Sequence, residues 1–342
     1  MSARHSVRLA MLASGAALAM ALVPTTTTFA APAGAATNAG RVGAQPQLLD
    51  PPPGEFHQTC TKVTTATFDP ILDSYPHSHE FFGNKGVNIN STPASLRMSP
   101  AGTSCDRSAN KSAYWVPSLY VPTHRVIDPF VRIDPKFTRS YYLTGGIDDP
   151  STIVNFPANL MMIAGNSMWG PAQPPQSTDV VNWTCKKDSG AESEENAIPT
   201  DCAGQNMNGD LRLRVMFPNC WDGQSAGLDN RAAWKPHLKY AWDDGGTDDG
   251  ACDPPDSEFA WVPIPQLRLG VQWDISAYKT DLAGAYIASD VMMETDRGRT
   301  AHGDFMNGWN QSALEDLIAY CIRGDWQPDG PQDLPPDCNT SD

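Results

Sequence analysis

Seven histidines are spread over 342 residues, and only His5 precedes residue 57. Two of the later ones form His77-Ser78-His79. In a strand, residues i and i+2 point to the same side, so two imidazoles at this spacing converge. Converging imidazoles chelate a borderline divalent metal, and zinc or copper is the expected ion. His302-Gly303-Asp304 repeats the spacing and offers a third nitrogen beside a carboxylate. The predicted metal ligands are therefore His77, His79 and His302, with Asp304 or Glu80 as the neighbouring acid. His302, Asp304 and His237 are the predicted catalytic groups. They would act on a metal-bound water, or directly as general base and acid.

Tryptophan supplies a second line of reading. A Trp face stacks on a sugar ring, and its N–H needs a partner when buried. Trp221 adjoins Asp222 and Trp309 lies two residues from Asn307; these four together with Trp115 are the predicted substrate-binding residues. The competing role for each indole is filling a core. Two other patterns are weaker. Gly223-Gln224-Ser225-Ala226-Gly227 fits G-x-S-x-G, but no strand runs directly into the serine as a nucleophile elbow requires. The Asp- and Gly-rich run 243–250 lacks EF-hand spacing and reads as a solvated acidic turn.

These residues need a scaffold. Residues 1–30 carry Arg4 and Arg8, then an uncharged apolar stretch over 9–23, then small residues, which is the layout of a secretory signal peptide. The apolar stretch is shorter than the roughly 20 residues that span a bilayer. No integral membrane segment is expected after cleavage. Residues 31–53 form a flexible Ala- and Pro-rich leader, 54–325 a single globular domain, and 326–342 an acidic Pro-rich tail. All 8 cysteines follow the signal, which points to four disulfides in an oxidising, extracellular setting. Pairing of sequence neighbours (60–105, 185–202, 220–252 and 321–338) is the simplest connectivity.

The periodic segments are mostly strands. Over 211–217 apolar and basic residues alternate, and over 266–275 Leu267, Leu269, Val271 and Trp273 share one face. Short apolar runs at 114–121 and 160–164 add further strands. One helix is predicted over 312–323, with a Ser312/Glu315 capping box and a Gly324 stop. The fold class expected is mainly β: a disulfide-stapled β-sandwich or jelly-roll-like single domain with one C-terminal helix.

A wider pattern now stands out. Asp69-Pro70-Ile71, His77-Ser78-His79 and Phe82-Gly83 open a series of blocks. It continues through Tyr114-Trp115-Val116-Pro117, Phe217-Pro218-Asn219-Cys220-Trp221-Asp222-Gly223 and His237-Leu238-Lys239-Tyr240 to His302-Gly303-Asp304-Phe305-Met306-Asn307-Gly308-Trp309. The set resembles a family of secreted domains of unknown function found in actinobacteria and filamentous fungi. The resemblance implies an extracellular single domain and marks His77, His79, His237, His302 and Asp304 as motif positions. It transfers no reaction.

The formal net charge of −15 excludes a basic nucleic-acid footprint and disfavours an anionic membrane surface. It also makes a neutral glycan a better partner than a polyanionic one. The expected function is a secreted protein acting on polysaccharide by hydrolysis or elimination at the histidine site. The alternative is a non-catalytic module that binds glycan or cell wall.

Overall fold

The computed structural model describes residues 52–185, 194–202, 210–224, 237–241, 252, 261–278, 281–328 and 335–339. The predicted signal segment, residues 31–51 of the leader, the 243–250 turn and residues 225–227 of the G-x-S-x-G match lie outside them. In chain order the described strands are β1 (Glu55–Cys60), β2 (Lys62–Ala66), β3 (His79–Gly83), β4 (Ala113–Pro117), β5 (Leu119–Pro122) and β6 (Phe130–Ile133). Then come β7 (Pro135–Leu143), β8 (Met161–Gly165), β9 (Val181–Cys185), β10 (Asp210–Met216) and β11 (Cys220–Trp221). The last are β12 (Leu238–Lys239), β13 (Val262–Pro263), β14 (Gln266–Asp274), β15 (Tyr286–Ile287) and β16 (His302–Met306).

Ten strands build two five-stranded antiparallel sheets. Sheet one has the order β1-β7-β14-β10-β9, and sheet two has the order β2-β3-β4-β16-β8. Period-two alternation decides which residues go inside. Phe56, Tyr142, Leu213, Val215 and Leu269 from sheet one share a buried cluster with Phe82, Tyr114, Val116, Met162 and Phe305 from sheet two. Gly303 lets the sheets approach, since a Cβ there would lie 3.3 Å from a Val215 methyl. The Tyr114 and Tyr142 hydroxyls bond to each other at 2.7 Å, and Trp309 Nε1 donates to the Tyr142 hydroxyl at 2.8 Å. The expected sandwich is therefore present.

Sheet two is buried on its other face as well. Phe81, Ala113, Trp115, Met161 and Met306 pack there against Ile71, Val87 and Leu96. Strands β3, β4 and β16 are buried along their whole length, so none of them shows a polar outer face in sequence, and β3 and β16 bury the charged or polar residues His79, Glu80, His302 and Asp304.

Two helices accompany the sheets. α1 (Pro93–Met98) was not apparent from periodicity because it is only 6 residues long, yet Thr92 and Ser95 cap it reciprocally and Pro93 starts it. α2 (Gln311–Leu317) runs into a wider π turn (Ile318–Arg323), and Gly324 ends it with φ 74. The predicted helix is thus present, but its cap differs. Asn310 accepts from the Ser312 and Ala313 amides, while Glu315 pairs with Arg323.

All four neighbour disulfides form, and no described cysteine is free. Trp326, just beyond the expected domain edge at 325, packs on Tyr320 and belongs to the core. Residues near Cys338 return to β1, where the His57 amide donates to the Cys338 carbonyl at 3.1 Å. No helix among the described residues is long and apolar enough to cross a membrane.

Candidate metal centre

The outer face of sheet two carries the chemistry. β16 pairs with β4 through Asp304↔Trp115 and with β8 through His302↔Gly165 and Asp304↔Ile163. On β3, His79 shares its face with Phe81, which stands opposite Trp115. Alternation therefore aims His79, His302 and Asp304 to one side. His77 lies in the bend just before β3 and turns its ring onto the same spot. Ring centroids are 4.3 Å apart for His77 and His79, 5.2 Å for His77 and His302, and 5.9 Å for His79 and His302. One nitrogen from each ring lies within 4.8 Å of the others, so the three histidines can hold a metal ion. A tetrahedral zinc site places its nitrogens about 3.4 Å apart, so binding would bring these nitrogens closer by up to about 1.4 Å.

The hydrogen bonds favour that use. His302 Nδ1 lies 2.9 Å from the Thr300 carbonyl, which can only accept. The proton is therefore on Nδ1, and Nε2 presents its lone pair to the cluster. Nε2 is 3.8 Å from Asp304 Oδ2. Burial, with His302 as a nearby like charge, pushes His77 down to about 3. Burial pushes His302 down to about 4. His79 is lowered well below 6.5 by burial, then by His77 and His302, with the Phe68 backbone opposing. Neutral imidazole is the ligand form.

Asp304 is fully buried, and neither of its oxygens has a hydrogen-bond partner. Burial raises its carboxyl well above the ordinary range, and the nearby Asp69 raises it further. Both His77 nitrogens and the Trp115 indole N–H are also without partners. Buried polar atoms are nearly always paired, and the unpartnered acceptors among these, the Asp304 oxygens and the imidazole nitrogens, fit a cation bound among them.

Of the other predicted site residues, Trp115 stands beside this cluster in register with Asp304, and the rest make contacts elsewhere. Glu80 follows His79 and so points to the opposite face, where Arg132 holds it at 2.6 Å and Lys62 at 3.2 Å. His237 Nδ1 pairs with Asp222 Oδ2 at 2.7 Å, and His237 makes no ring contact with the three histidines. Trp115 and Trp309 are fully buried, so neither offers a face to a sugar. Asn307 is buried too and donates to the Pro157 carbonyl at 2.9 Å. Trp221 is half-buried, with its N–H given to the Gln224 carbonyl at 3.0 Å.

Two features escaped the sequence reading. Asp69 is buried, accepts the Ile71 amide at 2.8 Å and the Leu72 amide at 3.0 Å, and acts electrostatically on Asp304. Its Asp-Pro-Ile block stood in the resemblance, yet nothing in the spacing linked it to Asp304. The second is a cavity of about 570 Å³ beside β8, lined by Ile163, Gly165, Trp169, Gln176 and Tyr240. Ile163 and Gly165 are the register partners of Asp304 and His302 on the neighbouring strand, and neither Asp304 nor any of the three histidines lines the cavity.

A disulfide-stapled β-sandwich with a buried three-histidine centre is the class that fold and site define. Residues 69–309 match the model for the Domain of unknown function (DUF1996), and the chain belongs to that family. No curated protein and no solved structure matches it.

Proposed function

We propose that this is a secreted enzyme acting on extracellular polysaccharide through a divalent metal, zinc or copper, held by His77, His79 and His302. The observation that carries the metal reading is the His302–Thr300 bond, which turns a neutral nitrogen toward two other imidazoles. A metal there supplies a Lewis acid that polarises an oxygen or activates water. Asp304 is the group placed to take a proton, because a nearby cation favours its ionised form. Hydrolysis and elimination both use such a base. The cavity lined by Trp169 and Tyr240 is the place for a glycan segment, and the net charge favours a neutral one. Four disulfides and no free described cysteine support an oxidising compartment.

One observation favours the second reading, a non-catalytic glycan- or wall-binding module. His79, His302 and Asp304 are all at most 2% exposed, which suits a structural ion. Metal analysis and product analysis separate the two. The purified protein should hold about one equivalent of metal after reconstitution and lose it to chelator. His77→Ala and His302→Ala should each weaken binding by at least about tenfold. Equal metal content in both variants and the wild type overturns the site. A polysaccharide panel, read for new reducing ends and unsaturated products, then tests catalysis. Binding without either product assigns the module.

A further inference from the structure

Asp290 is a fully buried carboxylate at the start of a short 3-10 turn (Asp290–Met293). Its oxygens accept four hydrogen bonds, all from neutral groups. Oδ2 takes the Ile287 amide at 3.0 Å and the Gly298 amide at 2.7 Å. Oδ1 takes the Thr300 amide at 3.1 Å and the Thr300 hydroxyl at 2.7 Å. The Ser289 hydroxyl stands 2.7 Å from that of Thr300. Hydrogen bonds to a carboxylate are roughly twice as strong as neutral ones, and here they offset the cost of burying the anion. What they hold is the segment that enters β16.

Thr300 lies two residues before His302, and its carbonyl is the acceptor for His302 Nδ1 at 2.9 Å. The peptide unit carrying that carbonyl ends in the Ala301 amide, which donates to the Gly298 carbonyl at 3.1 Å. Asp290 therefore grips this unit from both sides, through Thr300 and through Gly298. Gln176 Nε2 fixes the flanking carbonyls, donating to Arg299 at 2.8 Å and to Ala301 at 3.0 Å. The direction of the Thr300 carbonyl decides the tautomer of His302. While it accepts from Nδ1, Nε2 keeps its lone pair. If the peptide unit turns away, the proton is free to sit on Nε2 and block the nitrogen that faces His77 and His79.

We propose that Asp290 is a positioning residue for His302, aiming the Thr300 carbonyl that keeps the imidazole proton on Nδ1. Its effect on metal affinity rests on the three-histidine reading, whereas its effect on the tautomer does not.

The test uses the full mature protein, labelled with nitrogen-15 and free of metal, at neutral pH. Long-range proton–nitrogen spectra report which ring nitrogen carries the proton, and His302→Asn assigns the signal. Wild type should be protonated on Nδ1. Asp290→Asn replaces one acceptor oxygen by a donor, so it breaks the contacts on one side and should populate the Nε2–H form. Thr300→Val keeps the amide bond, loses the hydroxyl and should shift the same way. Thr300→Ser keeps both and should match wild type. Zinc alone is then titrated into the same proteins against a chromophoric chelator. Asp290→Asn should bind at least about tenfold more weakly, and Thr300→Ser within about twofold of wild type. Tyr142→Phe loses two buried hydrogen bonds in the inter-sheet core, so it should melt lower with tautomer and zinc affinity unchanged. If Asp290→Asn fails to fold, Thr300→Val against Thr300→Ser carries the comparison. A wild-type tautomer in every folded variant overturns the proposal. So does a loss of zinc affinity in Tyr142→Phe equal to that in the Asp290 and Thr300→Val variants, which would make the effect one of general stability. A shifted tautomer in a protein whose wild type takes up no zinc upholds Asp290 as the positioning residue and overturns the metal reading instead.

Discussion

At the scale of single residues, the chemistry rests on how neutral imidazoles are kept neutral. The unfolded chain protonates histidine near 6.5, whereas the folded protein holds His77 down to about 3 and His302 down to about 4. Below pH 6.5 the unfolded state therefore binds more protons, and the metal-free fold loses stability as pH falls toward about 3. Asp304 acts with the opposite sign. Its raised carboxyl stabilises the fold below 3.8, and that contribution is lost as pH rises through its folded value. Thermal melts across pH should show His302→Asn flattening the acid limb and Asp304→Asn flattening the opposite one. An unchanged acid limb in His302→Asn would show that its ring is not held neutral by burial. The three-histidine cluster was legible because histidine is scarce and His77 lies close to His79 in the chain, although His77 reaches the cluster from the bend before β3 and not from a strand. Trp115 and Trp309 are fully buried, and the burial of an indole is not revealed by its neighbours in sequence.

The elements determine how firmly His302 is held. Gly165 stands opposite it at φ +86, and a Cβ there would lie 2.4 Å from the Ala301 carbonyl and 2.8 Å from the His302 Cα. Both contacts are with backbone, so Gly165→Ala must push β8 away from β16. The expected cost is about 1–3 kcal/mol, read as a melting temperature lowered by several degrees. Metal content should fall with it. Gly146→Ala is the matched control, because Gly146 also has positive φ, at +76, but nothing lies within 4 Å of its Cβ. It should pay for backbone strain alone and keep its metal. Strands β10 and β14 were readable because one face of each meets the core and the other carries arginines and glutamine. Strand β3 was not, since both of its faces are covered and no alternation remains.

For the whole molecule, the cysteines gave the clearest reading. Each pairs with its sequence neighbour, and this needed no knowledge of the fold. The Cys321–Cys338 bridge closes a separation of 17 residues and holds the returning C-terminal segment beside β1. Cys321→Ser/Cys338→Ser should destabilise the protein by about 3 kcal/mol in a denaturant titration. Metal content should be unchanged, because the histidine centre lies on sheet two. Loss of metal in that variant would show that the tail supports the site. Net charge was the least reliable guide at this scale. It is an average over the chain and does not reveal that Lys136, Arg139, Arg212, Arg214 and Arg268 line one cavity on sheet one.

The order of sheet two carries a consequence for how the molecule is made. β16, among the last strands in the chain, inserts at an interior position between β4 and β8. The nascent protein can therefore form β2, β3 and β4 early, but His79 waits for His302 until almost the whole polypeptide has emerged. Long-range pairing of this kind forms slowly. No chain shorter than 302 residues holds all three histidines, so an ion bound as proposed would meet a nearly finished polypeptide. The metal available where folding ends, rather than where translation begins, would then decide which ion the site takes.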